Sequence, residues 1–199
     1  MKAGDYRFQF VAGNLALDFI NTVAYRFHPG KVKDHLQGVE EVRQWAHQAR
    51  LPDSDAINSS PRLSPAALLR VRTIREQLFR IFQAIASDEP ISADALRRIG
   101  NALHDCRARQ CLSIRGVEVR WTWRPGAACS DLLLYPILTA AADLLTSGSR
   151  GRVRQCADEG CGWLFLDRSN ARKRRWCSMA DCGNRNKVRE HYRRKAGTA

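Results

Sequence analysis

Apolar residues recur with helical spacing over much of the first 150 residues. Ser64 and Pro65 are typical of a helix start, with serine as the N-cap. Apolar side chains then follow every three or four residues, which predicts a helix with one core-facing side: Leu68, Val71, Ile74, Leu78, Ile81 and Ile85. The arginines between them are expected mostly to face water: Arg70, Arg72, Arg75 and Arg80.

The same spacing predicts three further helices. Residues 39–49 form a short amphipathic helix with Val42 and Trp45 inward, and another helix begins after Ser92 as N-cap. Residues 132–145 are apolar almost all the way round, which is typical of a central buried helix. Residues 52–63, rich in proline, aspartate and serine, are predicted to form a loop.

Near the N-terminus, residues 6–11 predict a short strand or an extended arm, and Gly13-Asn14 starts a helix predicted over 15–27. Four polar side chains share one stripe of this helix: Asp18, Asn21, Thr22 and Tyr25. One interpretation is the wall of a pocket for a small-molecule effector. The other, which we favour, is a set of buried polar groups that bond to neighbouring backbone.

A β-hairpin is predicted from residues 112–114 and 117–123, with a turn at Arg115-Gly116. Alternate residues of the second strand share one face: Val117, Val119, Trp121 and Trp123. We expect this face to cover the helical core, the commoner use of paired tryptophans. Stacking on nucleobases is the alternative.

Four of the seven cysteines form two C-x4-C pairs near the C-terminus, with residues 162–176 between the pairs: Cys156, Cys161, Cys177 and Cys182. This pattern predicts one structural zinc ion, because zinc prefers four thiolates in a tetrahedron. An iron–sulfur cluster and two disulfides are alternatives that the spacing and the expected cytoplasmic location disfavour. A closed four-thiolate shell leaves no open position for catalysis. The other three cysteines are expected to be small buried hydrophobes: Cys106, Cys111 and Cys129.

The cysteine unit is predicted to resemble a treble clef. Residues 162–166 and 172–176 are expected to pair as strands, and a helix runs from about Asp181 to Arg194. Val188 and Tyr192 are expected to give that helix an inward edge. The fold class is therefore mainly α with a small β-hairpin, divided into a helical domain at 1–150 and a zinc finger at 151–199.

Positive charge is concentrated in the finger. The net charge is +13, and 13 Lys and Arg against 5 Asp and Glu lie after residue 150. Nucleic acid is the natural partner of such a segment. The predicted contacts lie before the third cysteine and along the last helix: Arg172, Lys173, Arg174, Arg175, Arg185, Lys187, Arg189, Arg193 and Arg194. The alternative is a solvated surface that offsets the charge of a zinc–thiolate centre.

Two stretches resemble a known family. The residues CGWLFLD (161–167), RRWCSM (174–179) and CGNR (182–185) closely resemble the bacterial CGNR zinc-finger proteins. The residues GNLALDFINT (13–22) look like the opening of the ABATE domain that precedes this finger in the family. The resemblance implies a mainly helical N-terminal domain, a stress-linked transcription regulator, and the four paired cysteines as zinc ligands.

The leading hypothesis is a cytoplasmic regulator that binds duplex DNA, with an N-terminal domain that forms a homodimer, senses an effector, or both. The start of the chain lacks the features of a signal peptide, and no apolar run suggests a membrane span. An RNA- or ribosome-associated binding module is the second hypothesis. The third is an enzyme centred on Asp18 with Asn21 and either His28 or His104. No nucleophile–base spacing or phosphate loop supports it, so we expect no catalytic residues.

Overall fold

Six α-helices and three two-stranded antiparallel sheets make up the described part of this computed structural model, which comprises residues 6–52, 57 and 64–196. The helices are α1 (Leu15–Ile20), α2 (Val39–Gln48), α3 (Pro65–Ala86), α4 (Ala93–Ala108), α5 (Cys129–Thr146) and α6 (Asn184–Ala196). The strands are β1 (Val23–Ala24), β2 (Lys33–Asp34), β3 (Gln110–Arg115), β4 (Glu118–Trp123), β5 (Val153–Gln155) and β6 (Leu164–Leu166). Each odd-numbered strand pairs with the next. Most of the loop predicted over 52–63 lies outside the described residues.

Side-chain caps start the helices where the sequence predicts. The Asn14 side chain accepts hydrogen bonds from the backbone N–H groups of the first turn of α1. Ser64 and Ser92 do the same for α3 and α4. These caps satisfy N–H groups that have no partner within the helix, which fixes the point at which each helix begins.

Helix α5 lies at the centre of the core and contacts α1, α3 and α4. Its buried residues occupy nearly all sides, as the apolar pattern predicts, and the predicted stripe of α3 packs inward as well. By length and composition alone α5 could also cross a membrane, but half of it is buried inside the protein. A buried core helix passes the same test of length and composition.

The prediction of a helix over 15–27 is wrong beyond Ile20. The chain turns at Asn21 and Thr22, and Val23–Ala24 then pairs with Lys33–Asp34. The cause is a long-range contact, because the Asn21 amide donates to the backbone oxygen of Leu164 (2.8 Å) and accepts from its N–H (3.0 Å). The N-terminal residues 6–11 form an extended arm, one of the two predicted alternatives. Gln48 holds the arm by accepting from the Phe8 N–H and donating to the Tyr6 oxygen.

The expectation that the arginines of α3 mostly face water is wrong. Arg70 pairs with Asp131 and Arg72 donates to the Leu36 oxygen, and Arg75 is buried. Its guanidinium binds both carboxylate oxygens of Asp34 at 2.7 Å and a Glu76 oxygen at 3.0 Å. Burial alone would raise the pKa of Asp34, but the hydrogen bonds from Arg75 prevail and lower it. The pair therefore stays charged and ties the β1–β2 ribbon to α3.

Most of the β3–β4 hairpin is exposed, so the expectation that its apolar face covers the core is wrong. Only the end nearest the helices is packed, where the Trp123 ring meets the Tyr135 ring edge-on. Trp121 and the apolar residues toward the turn are exposed to solvent.

The cysteine-containing segment is packed directly on the helical part. Strand β6 contacts α1 and α3, and Leu164, Phe165 and the four paired cysteines belong to the same hydrophobic core as the helices. The Trp163 indole donates to the backbone oxygen of Val23 (3.0 Å). Division of the chain near residue 150 stays a prediction, but the two predicted parts share one core.

We expect Asn21→Ala to reduce the free energy of unfolding by about 2–4 kcal/mol, because it leaves two buried backbone groups of Leu164 without partners. Denaturant unfolding of the purified protein measures the effect. Asn101→Ala, at an exposed position of α4, is the matched control and should stay within about 0.5 kcal/mol of the parent. Equal stabilities of the two variants would contradict the proposed importance of this contact.

Candidate metal centre and basic helix

The first cysteine pair lies in the turn between β5 and β6. Asp158 closes the turn, since its backbone oxygen accepts from the Cys161 N–H (2.9 Å) and its side chain accepts from the Gly160 N–H (3.3 Å). Gly162 follows with φ +71°, and a Cβ there would lie 2.8 Å from the Arg26 Cβ. Glycine is needed at this position both for its backbone angle and for the close approach.

Cys177 precedes a single wide helical turn, Met179–Gly183, which contains Cys182 and leads into α6. Ser178 caps this turn by accepting from the Asp181 N–H. The prediction that 172–176 is a strand paired with 162–166 is wrong, because β5 is the partner of β6. Residues 168–176 instead form a loop around the buried Asp167, whose carboxylate accepts from the N–H groups of Ser169 and Arg174.

The four paired cysteines meet in one buried cluster, with all Sγ atoms within 4.8 Å of one another. The Cys177 Sγ lies 3.8 Å from that of Cys161 and 3.6 Å from that of Cys182. Four thiolates at 2.3 Å from one zinc ion would have sulfur–sulfur distances of about 3.8 Å. A disulfide needs about 2.05 Å, and all the cysteines are free. A cluster of several irons would hold the sulfurs farther apart. The cluster therefore could hold one tetrahedral zinc ion.

The electrostatic environment of the cluster also suits a cation. Hydrogen bonds from the other thiols, first from Cys161, lower the pKa of Cys156, while the hydrogen bond to Cys156 raises the pKa of Cys177. A divalent cation would stabilise all four thiolates together. The Cys177 N–H donates to the Cys156 Sγ (3.4 Å), and Arg185 donates to the Cys182 Sγ (3.2 Å). These donors would offset part of the thiolate charge.

The base of α6 is attached to the first cysteine turn through Asp158, which is 2% exposed. Its carboxylate pairs with Arg185 (3.1 Å) and Arg189 (3.4 Å) and accepts from the Asn186 amide (3.2 Å). Sequence reasoning missed this role. The available signal was one acidic residue inside a cysteine pair, together with a basic helix after the other pair.

The nine residues predicted to contact nucleic acid fall into two groups. Five have exposed side chains for which the described residues show no ion pair: Arg172, Lys173, Arg175, Lys187 and Arg193. The other four have partners within the protein. Arg174 donates to the backbone oxygens of Val11 and Trp176 and lies over the Phe165 ring. Arg194 pairs with Glu190, and Arg185 and Arg189 pair with Asp158.

Helix α6 has no inward edge beyond its first turn. Val188 and Tyr192, expected to face the core, are 54% and 67% exposed. Every described side chain from residue 187 to 195 is exposed. The helix therefore projects from the metal centre into solvent.

The structure does not gather the four residues of the predicted effector stripe around one cavity. Asp18 accepts from the Ala12 N–H, and Thr22 donates to the Phe19 oxygen and accepts from Arg75. Burial raises the pKa of Asp18 to about 6. Asn21 is bonded to Leu164. Tyr25 alone lies on a crevice, of about 280 Å³, which also reaches Cys182 and Arg185.

Comparison with known families gives two consecutive matches. The ABATE family, described as "Putative stress-induced transcription regulator", matches residues 13–148. The family described as CGNR zinc finger matches residues 152–195. The order and extent of these matches confirm the resemblance noted from the sequence. Comparison with curated proteins gives no match.

We expect the purified chain to contain one zinc ion and Cys177→Ser to lose it, because a serine hydroxyl is a poor replacement for the fourth thiolate. Elemental analysis measures zinc content, and circular dichroism during chelation reports loss of structure. Cys111→Ser, which alters a thiol outside the cluster, should retain the metal. Full zinc content in Cys177→Ser would contradict the assignment.

We expect Asp158→Ala to loosen α6 without removing zinc, because Arg185 and Arg189 lose their shared carboxylate. Amide hydrogen exchange over residues 184–190 should accelerate about tenfold, since hydrogen bonds to charged groups contribute roughly 1–3 kcal/mol. The neighbouring Glu159→Ala, at an exposed side chain without an ion pair among the described residues, is the control. Equal exchange in both variants would show that Asp158 does not hold the helix.

Proposed function

Because the chain belongs to the family of ABATE-domain proteins with a C-terminal CGNR zinc finger, we propose that it is a cytoplasmic transcription regulator that binds duplex DNA. One structural zinc ion, held by the four paired cysteines, positions α6 and the loop 172–175 against the nucleic acid. The stress-linked role follows the description of the ABATE family. Neither family description names a catalytic activity, and the proposal assigns binding alone.

The observation that carries this proposal is that α6, after its first turn, is exposed and does not pack on the rest of the described structure. Arg185 and Arg189 share the Asp158 carboxylate, but Lys187 and Arg193 have no ion pair among the described residues. Nor does α6 gain stability by burying an apolar face, since its side chains from residue 187 are exposed. Phosphate groups would neutralise these two cations and supply the contacts that the protein's own core does not.

The loop 172–175 adds exposed cations to the proposed nucleic-acid surface beside those of α6. Its backbone is fixed beside the first cysteine turn, because the Arg175 oxygen accepts from the Ala157 N–H (2.8 Å). The base of α6 is fixed to the next residue, Asp158. Two groups of exposed cations are thus attached to one rigid turn, which favours phosphate contacts from both groups on a single duplex.

In this proposal the basic residues divide their roles. Arg172, Lys173, Arg175 and Lys187 contact phosphates and set the position of the protein on the duplex. Arg193, on the projecting part of α6, is the candidate for reading a base edge, since arginine can bind guanine with two hydrogen bonds. Arg185 and Arg189 mainly orient the helix, although their side chains remain 33% and 45% exposed.

The helical part is proposed to respond to a small-molecule effector through Tyr25. Its backbone is left-handed (φ +54°), a conformation that is uncommon for a bulky residue. Its hydroxyl lies 3.4 Å from Arg185, at the base of the basic helix. A ligand in the adjoining crevice would therefore meet a residue that contacts α6.

We expect Lys187→Ala/Arg193→Ala to weaken duplex binding by tenfold to about thirtyfold near 0.15 M salt. Loss of the Lys187 phosphate contact should reduce the magnitude of the slope of log K against log salt concentration by about 0.9. Fluorescence anisotropy with a labelled duplex over a salt series measures both quantities, using fragments selected from genomic DNA. These two side chains have no ion pair among the described residues, so the zinc content should not change.

Lys31→Ala/Arg80→Ala is the matched control, because it removes the same charge from exposed positions of the helical part. Its affinity should stay close to that of the parent. An unchanged affinity of the α6 variant would overturn the proposed interface. Preference for structured RNA in competition at fixed salt would replace duplex DNA with the RNA-binding alternative.

A further inference from the structure

The β3–β4 hairpin carries an apolar face that, in the described structure, is covered only in part, by Arg107 over the Trp121 ring. In its register Leu112 lies opposite Trp121, and Ile114 lies opposite Val119. Residues directly opposite each other in an antiparallel pair point to the same side of the sheet. These four side chains therefore form one surface, called here the hairpin face.

The exposure of the hairpin face is large for a protein in water. Leu112 is 60% exposed, Ile114 76%, Val119 64% and Trp121 52%, and Val117 at the turn is 99% exposed. Together these five residues, Val117 included, expose on the order of 600 Å² of surface, most of it apolar, which is comparable with the largest patch on a typical monomer. Contiguous exposed surface of this kind marks an interaction site.

The hairpin also lacks the support that two-stranded sheets normally need. Sheet β3–β4 has two strands, so each has an unpaired outer edge. Isolated two-stranded hairpins are marginally stable in water. Packing is confined to the end near the helices, where Trp123 meets Tyr135 and Arg107 lies 4.1 Å above the Trp121 ring. A partner on the hairpin face would complete the packing.

We infer that two copies of this chain associate through their hairpin faces. The chemistry of the face selects this occupant, because the charged and polar pairs lie on the opposite side of the sheet: Ser113 with Arg120, and Arg115 with Glu118. Nucleic acid would require several cations on the contact surface, whereas the cross-strand pairs of the hairpin face are uncharged and Arg107 is the cation stacked on it. A charged peptide would likewise require countercharges there. A second hairpin face requires neither.

The available area agrees with a dimer. Stable interfaces of standard size bury about 800 Å² per partner. The hairpin face together with Val117 supplies more than half of this, and the adjoining strand edges and Arg107 can supply the remainder. Two sheets packed face to face lie about 10 Å apart, with the side chains of both in one layer. The cross-strand pairs would then form a small shared core on a two-fold axis.

Dimerisation through the hairpin faces is separate from DNA binding and can be measured without DNA. Sedimentation velocity of the full-length, zinc-loaded chain from 1 to 100 µM should show a concentration-dependent dimer. Ile114→Lys should raise the dimer dissociation constant at least tenfold, because it places a charge in the shared core. A parent that stays monomeric throughout this range would overturn the inference.

Glu118→Gln is the matched control, since it changes the net charge by the same amount on the opposite side of the hairpin. It should dimerise like the parent. Ile114→Thr/Val119→Thr guards against misfolding, because threonine keeps the β-branched shape that suits a strand while removing apolar surface. This variant should also weaken the dimer, with unchanged circular dichroism. Dimerisation of both hairpin-face variants at parental strength would overturn the inference.

Discussion

The tetrahedron of four thiolates is the constraint on which the C-terminal part of the structure depends. It would join the β-hairpin turn to the wide helical turn before α6, in addition to the ion pairs that Asp158 makes with the base of that helix. Structural zinc sites supply roughly 10–16 kcal/mol of apparent binding free energy at neutral pH, which also stabilises the fold. The zinc-binding segment needs such a contribution, because its loop 168–176 and its projecting helix bury little surface of their own.

Contacts with the helical part also stabilise the zinc-binding segment. Asn21 satisfies both backbone groups of Leu164, and Trp163 reaches the backbone of Val23, so the first cysteine turn is held from the side away from α6. Tyr25 lies two residues after Val23, and its hydroxyl contacts Arg185. The same short segment, 21–25, therefore touches the metal-binding hairpin and the basic helix. A change in the conformation of residues 21–25 would therefore alter contacts with both the metal-binding hairpin and the basic helix.

Sequence could predict the elements whose cause is local. Serine and asparagine caps, the apolar stripe of α3 and the paired cysteines all act within a few residues, and each was placed correctly. Features that depend on distant partners were not predicted. Helix α1 ends early because of a contact with Leu164, and Arg75 is buried because Asp34 folds back over α3. The pairing of β6 with β5 was missed because strand β5 is only three residues long.

The structure also changes what the positive charge of the finger means. A charge count treats nine basic residues as equivalent, yet four of them bind groups within the protein. Arg185 and Arg189 neutralise the buried Asp158, and Arg174 fastens the loop to the N-terminal arm. Fewer basic residues are therefore available to an anionic partner than the composition suggests. Those that remain are the exposed cations on α6 and on the loop 172–175. Both groups are attached to the turn that the metal would hold, so nucleic-acid binding is favoured by where the charge is fixed more than by how much charge there is.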